Sequence, residues 1–182
     1  MERIQIDGAT LRDAGPPDAA ALTDLLRLLS PASAFMRFLV GFGEPKPALV
    51  RGLLATGPRR GALLAVLPGG TAVGHACWSV SAGPDGGGVV DVGVLVLDGW
   101  QRRGVGRALV EAAVARAADA GGTVLHLDVH PENRALIAAL RRRLPTATRR
   151  YADGLVTFDV PLGDVVDPHR SAALPQQVGE PV

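Results

Sequence analysis

The stretch Val94-Leu95-Val96-Leu97-Asp98-Gly99-Trp100-Gln101-Arg102-Arg103-Gly104-Val105-Gly106-Arg107-Ala108 decides the fold. Its first residues end an apolar, β-branched run, Val89 to Leu97, that predicts a central strand with one anomaly, Asp91. Its last residues open an Ala-rich helix, Gly106 to Ala120, whose Ala108, Leu109, Ala112, Ala113 and Ala117 share a face small enough for close packing on a sheet. In the turn between them, Gly104 and Gly106 let backbone N–H groups converge without Cβ interference. With the positive end of the helix behind them, those donors form an anion site suited to a pyrophosphate. Arg102, Arg103 and Arg107 add diffuse attraction.

Working outward, Thr123 to Val129 reads as a strand, Asn133 to Arg143 as a helix and Leu155 to Val160 as a last strand. Upstream, Gly61 to Leu67 and Ala72 to Val80 read as a hairpin turning at Pro68-Gly69-Gly70-Thr71. Leu22, Leu25, Leu26 and Leu29 recur at helical spacing, so Asp18 to Leu29 is an amphipathic helix. Thr10 to Arg12 is a candidate strand, and short helices are expected after Ser30-Pro31 and from Pro47 to Leu54. Strand, helix, strand, helix over residues 89 to 143 implies a crossover and a mixed or parallel central sheet, an α/β class. One domain over residues 1–163 is expected, with a Pro-rich flexible tail at 164–182.

Composition excludes several classes. With 19 Lys+Arg against 18 Asp+Glu, the 182-residue chain lacks the broad cationic surface of duplex nucleic-acid binders. Arg141-Arg142-Arg143 and Arg149-Arg150 make a local positive neighbourhood without interleaved aromatics, and a solvated helix end accounts for it. The lone Cys77 cannot form an internal disulfide, which suits a reducing compartment. No apolar run reaches the length of a membrane span, so a soluble cytoplasmic protein is the expectation. His75, His126, His130 and His169 lack paired spacing on one helix face, and no metal site is expected.

Other glycine loops fit less well. A dinucleotide fingerprint needs a third glycine where Leu109 stands, and no Gly-Lys-Ser/Thr ending follows. Gln101-Arg102-Arg103-Gly104-Val105-Gly106 instead resembles the Gln/Arg-x-x-Gly-x-Gly/Ala pyrophosphate loop of the GCN5-related N-acetyltransferase (GNAT) superfamily. Leu127 to Ala135 is similar to that superfamily's strand, turn and helix start, and the likeness in element order covers residues 9 to 161. Ser30 to Ser33 with Arg37-Phe38, Asp98 to Gly106, and Thr157 to Leu162 resemble, more narrowly, the acetyltransferase domain of Pat-type bacterial protein lysine acetyltransferases.

The resemblance implies a mixed sheet in which a splayed pair of parallel strands holds acetyl-CoA. It implies that Val94, Leu95 and Val96 offer backbone groups to the pantetheine and that Gln101, Arg102, Arg103, Gly104, Val105, Gly106, Arg107 and Ala108 surround the pyrophosphate. Asn133 would hydrogen-bond near the pantetheine.

Acyl transfer to an amine needs a neutral amine, a route for its proton and a polarised thioester carbonyl. Asp91 is the candidate base, since Asp91, Gly93 and Leu95 share a strand face. The alternative is a solvent-facing carboxylate on an edge segment beside Gly88. In the Pat-like domains the matching acid is a glutamate, so the shorter Asp91 favours a water relay. The tyrosine expected to protonate the leaving thiolate falls on Leu140, and Tyr151 lies outside that helix, where its ring is expected to pack. Cys77 reads as a small buried thiol rather than a nucleophile. His130 either lines the substrate entrance or is solvated in its turn, and His75 either reaches the acceptor cleft or is structural.

The expected reaction is acetyl transfer from acetyl-CoA to a primary amine, a protein lysine in the narrower likeness. Small amines such as polyamines, amino acids or aminoglycosides are the alternative, and a non-catalytic acyl-CoA sensor is a third. Neither a monomer nor a homodimer is singled out.

Overall fold

The computed structural model describes residues 4–41 and 43–166. His169, and the part of the expected tail beyond 166, lie outside them. A hairpin comes first, β1 (Ile4–Ile6) and β2 (Ala9–Ala14), turning at Asp7-Gly8 with φ of 50° and 82°. Three helices follow, α1 (Ala19–Arg27), α2 (Pro31–Phe38) and α3 (Pro47–Leu53). Pro31 and Pro47 each stand in a first turn, where the missing N–H costs nothing. The antiparallel meander β3 (Arg60–Val66), β4 (Ala72–Ala82) and β5 (Gly88–Val96) leads into α4 (Val105–Asp119) and β6 (Val124–Val129). The chain continues through α5 (Arg134–Arg143), β7 (Thr148–Ala152), β8 (Leu155–Pro161) and the short α6 (Leu162–Val166).

One eight-stranded sheet runs in the order β1-β2-β3-β4-β5-β6-β8-β7. Among the described strands only β5 and β6 are parallel, so the sheet is mixed, in keeping with the crossover. One face takes α4, which buries the expected Ala108, Leu109, Ala112, Ala113 and Ala117 together with Val105 and Val114. The opposite face takes α1 and α3 through Leu22, Leu25, Leu26, Val50 and Leu53. Strand β5 sorts its residues between the two layers. Val90 joins the α4 side with Val92, Val94 and Val96 packed along it, while Leu95 belongs to the core under α1 and α3.

Strands β1 and β7 and helix α6 were not expected from the sequence. Every residue of β7 is exposed, and Tyr151 on it is 72% exposed, so its ring does not pack.

His75 on β4 is fully buried in the α1/α3 layer, where its Nε2 meets the Leu53 carbonyl at 3.1 Å. Its role is structural. Burial, reinforced by the charge of Arg37, lowers its pKa to about 4 despite the Leu53 bond. The unfolded chain therefore binds a proton that the folded chain refuses between about pH 6.5 and 4. Stability is full above that window and falls by about 3 kcal/mol as pH drops through it. His75→Gln keeps a donor for Leu53 but cannot titrate, so its urea midpoint should fall less steeply across that window. An equal fall in both proteins would assign the acid sensitivity to other groups.

Candidate active site

Strands β5 and β6 pair through three rungs only, Val89 with Val124, Val90 with Leu125 and Asp91 with His126. Beyond Asp91 they part, and the edge of β5 from Val92 to Val96 has no strand on its β6 side. The closed end is tied by the Thr123 N–H and hydroxyl, which donate to the Gly88 carbonyl at 2.7 and 3.2 Å. Asp91 is thus not on an edge segment, because β4 pairs with it from the other side, but its side chain does face solvent.

At the far end of β5 the chain turns through Asp98–Trp100 into α4. Arg102 and Gly104 both take left-handed conformations, with φ of 61° and 85°. Ala108 is the first residue of α4 to donate within the turn, to Gly104 at 3.0 Å. The preceding amides, of Val105, Gly106 and Arg107, lie where a helix start leaves donors without intrahelical carbonyls. Arg103 pairs with Asp7 at 3.2 Å and stacks on Trp100, and Arg107 pairs with Glu111 at 2.6 Å. Among the described residues Arg102 makes no ion pair, which leaves its charge for a ligand. This end of the slot can take an anionic group.

The loop is also fixed to α2. Asp98 accepts from the Ser30 N–H at 3.2 Å, the Ser30 hydroxyl at 2.9 Å and the Ser33 hydroxyl at 2.8 Å. Its slight burial acts the other way, but these bonds hold its carboxyl below the ordinary range. Gln101 Nε2 donates to Ser33 at 3.1 Å and to the Val96 carbonyl at 3.2 Å. Asn133 caps α5, its Oδ1 accepting from the Leu136 N–H at 3.3 Å.

Asp91 lies at the opposite end of the slot, about 16 Å from Val96 at the usual rise of a strand. It borders a cleft of about 450 Å³ that also contains Arg37, Cys77, Ser79, Gly93, His126 and Asp128. Partial desolvation raises the Asp91 pKa, His126 opposes that and Asp128 adds to it. Cys77 is half-buried rather than enclosed, and its Sγ accepts from Arg37 Nη2 at 3.4 Å. That guanidinium rests on Gly93, where a Cβ would overlap it. Arg37 Nε is buried without a partner, and Arg37 makes no ion pair among the described residues. His130 packs edge-on against Phe35 of α2 at 5.3 Å, so it does not stand free in solvent, and it is not among the residues that line the cleft.

In sequence His126 stands out only as one of four histidines without metal-ligand spacing, and among the described residues no group of three or more His, Cys, Asp or Glu is suited to a metal. The structure gives it two carboxylate neighbours, Asp159 at 2.6 Å from Nδ1 and Asp128 at 3.4 Å from Nε2. The signal existed in the alternation of β6 and β8, but it needed the strand order to be read.

With this geometry the comparisons are specific. Residues 28–144 match the model of the acetyltransferase (GNAT) family. The chain belongs to that family. It is therefore an acetyltransferase, and its acetyl donor is acetyl-CoA. No curated protein matches the chain. Among solved structures, the GNAT domain of S. lividans PAT is 24% identical, with a TM-score of 0.73 over 84% of this chain and 90% of that one. A phosphinothricin acetyltransferase from Sinorhizobium meliloti, in complex with AcCoA, is 21% identical, with a TM-score of 0.62 over 96% of both chains. A GCN5-related N-acetyltransferase from Kribbella flavida is 20% identical, with a TM-score of 0.64 over 85% of this chain and 98% of that one. These likenesses concern the fold. No helix among the described residues is long and apolar enough to cross a membrane.

Two glycines of β5 give opposite expectations. A Cβ at Gly88 would run into the backbone carbonyl of Gly121, whereas at Gly93 it meets only the end of a flexible arginine. Gly88→Ala should cost about 2–3 kcal/mol in urea unfolding and Gly93→Ala under about 1 kcal/mol. Equal losses would show that the closed end yields as readily as the cleft floor.

Proposed function

We propose that this enzyme acetylates a primary amine brought through the Asp91 cleft, and that a lysine side chain of a polypeptide is its preferred acceptor. The parting of β5 and β6 immediately after the Asp91–His126 rung carries the reading. It leaves a strand edge for the pantetheine between an anion-binding helix end and a cleft with titratable groups. In this arrangement Val94, Leu95 and Val96 receive the pantetheine, the Gln101 to Ala108 turn takes the pyrophosphate, with Arg102 free to add charge, and Asn133 borders the donor.

Fixing the thioester beside the amine supplies much of the acceleration through proximity. Asp91, its carboxyl raised by desolvation, accepts the amine proton directly or through water. The amine nitrogen bonds to the acetyl carbon, the carbon–sulfur bond breaks, and CoA leaves as a thiolate that takes a proton from water. Exposed Leu39 and Val40, at the end of α2 beside the cleft, offer an apolar rim to a polypeptide. The narrow likeness of Ser30 to Ser33 and Asp98 to Gly106 to Pat-type domains supports the same acceptor.

A second reading has its own observation. Arg37 brings to the floor of the cleft a guanidinium that meets the Cys77 thiol and the Phe38 ring but, among the described residues, no carboxylate, and a partly buried cation without a counter-charge is costly. An amine bearing a carboxylate, such as a free amino acid, would supply the partner. Arg37→Gln should then raise KM for free amino acids about tenfold or more while changing lysine-peptide turnover little. If both acceptors respond alike, Arg37 does not read a carboxylate.

Gly104→Glu would thrust a carboxylate toward the pyrophosphate, and calorimetry should show CoA affinity falling at least about tenfold. Unchanged affinity would remove the turn from the donor site. Asp91→Asn should keep CoA affinity and lower turnover near neutral pH by about ten- to a hundredfold. Wild-type turnover in that variant would remove Asp91 from the chemistry.

A further inference from the structure

One row of side chains crosses the sheet where the slot closes. Ser79 on β4, Asp91 on β5, His126 on β6 and Asp159 on β8 are successive register partners, and such partners project from the same face. Asp91 and His126 form the last rung before the strands part, and both border the acceptor cleft. Behind His126 stands Asp159, 2.6 Å from Nδ1 and shielded to 21% exposure. The second oxygen of Asp159 is engaged by Arg150 of β7. A carboxylate can only accept, so Nδ1 carries the hydrogen and Nε2 is left as the basic nitrogen. The nearest carboxylate oxygen to Nε2, Asp128 Oδ2, is 3.4 Å away, while Asp128 Oδ1 accepts from the Thr157 hydroxyl at 2.8 Å. Nε2 is therefore not consumed by a short structural bond.

We propose that His126, oriented by Asp159, is the positioning residue that draws the amine proton away from Asp91 and so keeps Asp91 competent as the base. The inference rests on the transfer reading given above. As nitrogen bonds to the acetyl carbon, its proton passes to the Asp91 carboxylate, directly or across water, and on through a bridging water to its register partner His126 at Nε2. The imidazolium formed is stabilised by Asp159, and it releases the proton to solvent after the amide product leaves. CoA thiolate takes an equivalent proton from solvent, so the reaction balances as amine plus acetyl-CoA giving amide plus CoA.

The charges around the imidazole favour this order. His126 faces Asp91 from β5, Asp128 from its own strand and Asp159 from β8, with Arg150 beyond Asp159, while Arg37 of α2 and Arg60 of β3 border the same cleft. Burial lowers the imidazole pKa, but the Asp159 hydrogen bond and the three carboxylates outweigh it and raise the value overall. His126 therefore titrates nearer the working pH than a carboxyl does, where proton transfer is most efficient.

The test measures kcat against pH at saturating acetyl-CoA for wild type, His126→Gln and Asp159→Asn. The acceptor probes are an Nα-blocked lysine amide and, separately, free amino acids. NMR titration of the His126 ring and calorimetric CoA binding accompany the kinetics. His126→Gln should lose about tenfold or more in kcat with CoA affinity and amine KM within about twofold, and should lose the acidic limb set by the imidazole. Asp159→Asn removes a carboxylate that raises the imidazole pKa. Its NMR midpoint and its kinetic limb should therefore both move to lower pH, with a smaller loss of rate.

Wild-type kcat and an unchanged limb in His126→Gln would overturn the proposal. So would a shifted NMR midpoint in Asp159→Asn without a matching shift in the limb. If His126→Gln loses CoA binding through misfolding, the Asp159→Asn comparison decides alone. A wild type that binds CoA but acetylates none of the probes would overturn the transfer reading and this inference together. An active wild type that needs Asp91 and tolerates His126→Gln would remove the inference alone.

Discussion

Parallel pairing between β5 and β6 stops after three rungs, and the site follows from where it stops. A strand that leaves its neighbour exposes N–H and C=O groups that need partners from water or from a ligand. Here the exposed edge begins at the acid of the cleft and ends at the start of α4. Helix α4 lies across one face of the sheet, with Val105, Leu109 and Ala113 fully buried, so the helix end is held rigidly relative to that edge. Asp98 and Gln101 then bind α2 to the same turn through Ser30 and Ser33. Donor slot and acceptor wall are thereby fixed by one small network, and displacing α2 would disturb both.

For the amine acceptor proposed above, the cleft poses an electrostatic tension that His126 would resolve. Asp91 and Asp128 make the cleft attractive to an ammonium group, yet the chemistry requires a neutral amine. The same carboxylates that draw in the cation also raise the basicity of His126. On that proposal, attraction of the substrate and acceptance of its proton would arise from one set of charges. Arg37 stands apart from that set, seated on the bare backbone of Gly93 with a thiol as its hydrogen-bond acceptor. Its position lets it report the shape and charge of whatever follows the amine into the cleft.

The elements that could be read from sequence are those whose own residues carry the signal. The apolar run of β5 and the small-residue face of α4 needed no knowledge of neighbours, and the glycine turn between them marked the start of α4. Strands β1 and β7 escaped for different reasons: β1 alternates over only three residues, Ile4-Gln5-Ile6, too few to read as a period, and β7 is an edge exposed throughout and has no buried face. Their hairpins did have a local mark in Asp7-Gly8 and Asp153-Gly154, both pairs with positive φ. His126 and Asp159 were beyond reach for another reason. Their contact depends on β8 inserting between β6 and β7, and alternation gives the face of a residue without the order of the strands. Arg37 over Gly93 is likewise a product of how α2 crosses the sheet.

The acid side of the reaction explains why the titratable groups gather around the amine. Leu140 on α5 has no proton to give, and Tyr151, in the exposed edge strand β7, is 72% open to solvent. A thiol has an ordinary pKa of about 8.5, so a departing thiolate is only mildly basic and can wait for water. The attacking amine has no such latitude, because the ammonium-like nitrogen formed by its attack must lose a proton before the acetyl group is retained. In the proposed transfer, a chain without a donor at residue 140 would lose little on the leaving side and would depend on removing protons from the other. The row from Ser79 to Asp159 crosses the sheet at that place, one rung short of where the donor slot opens.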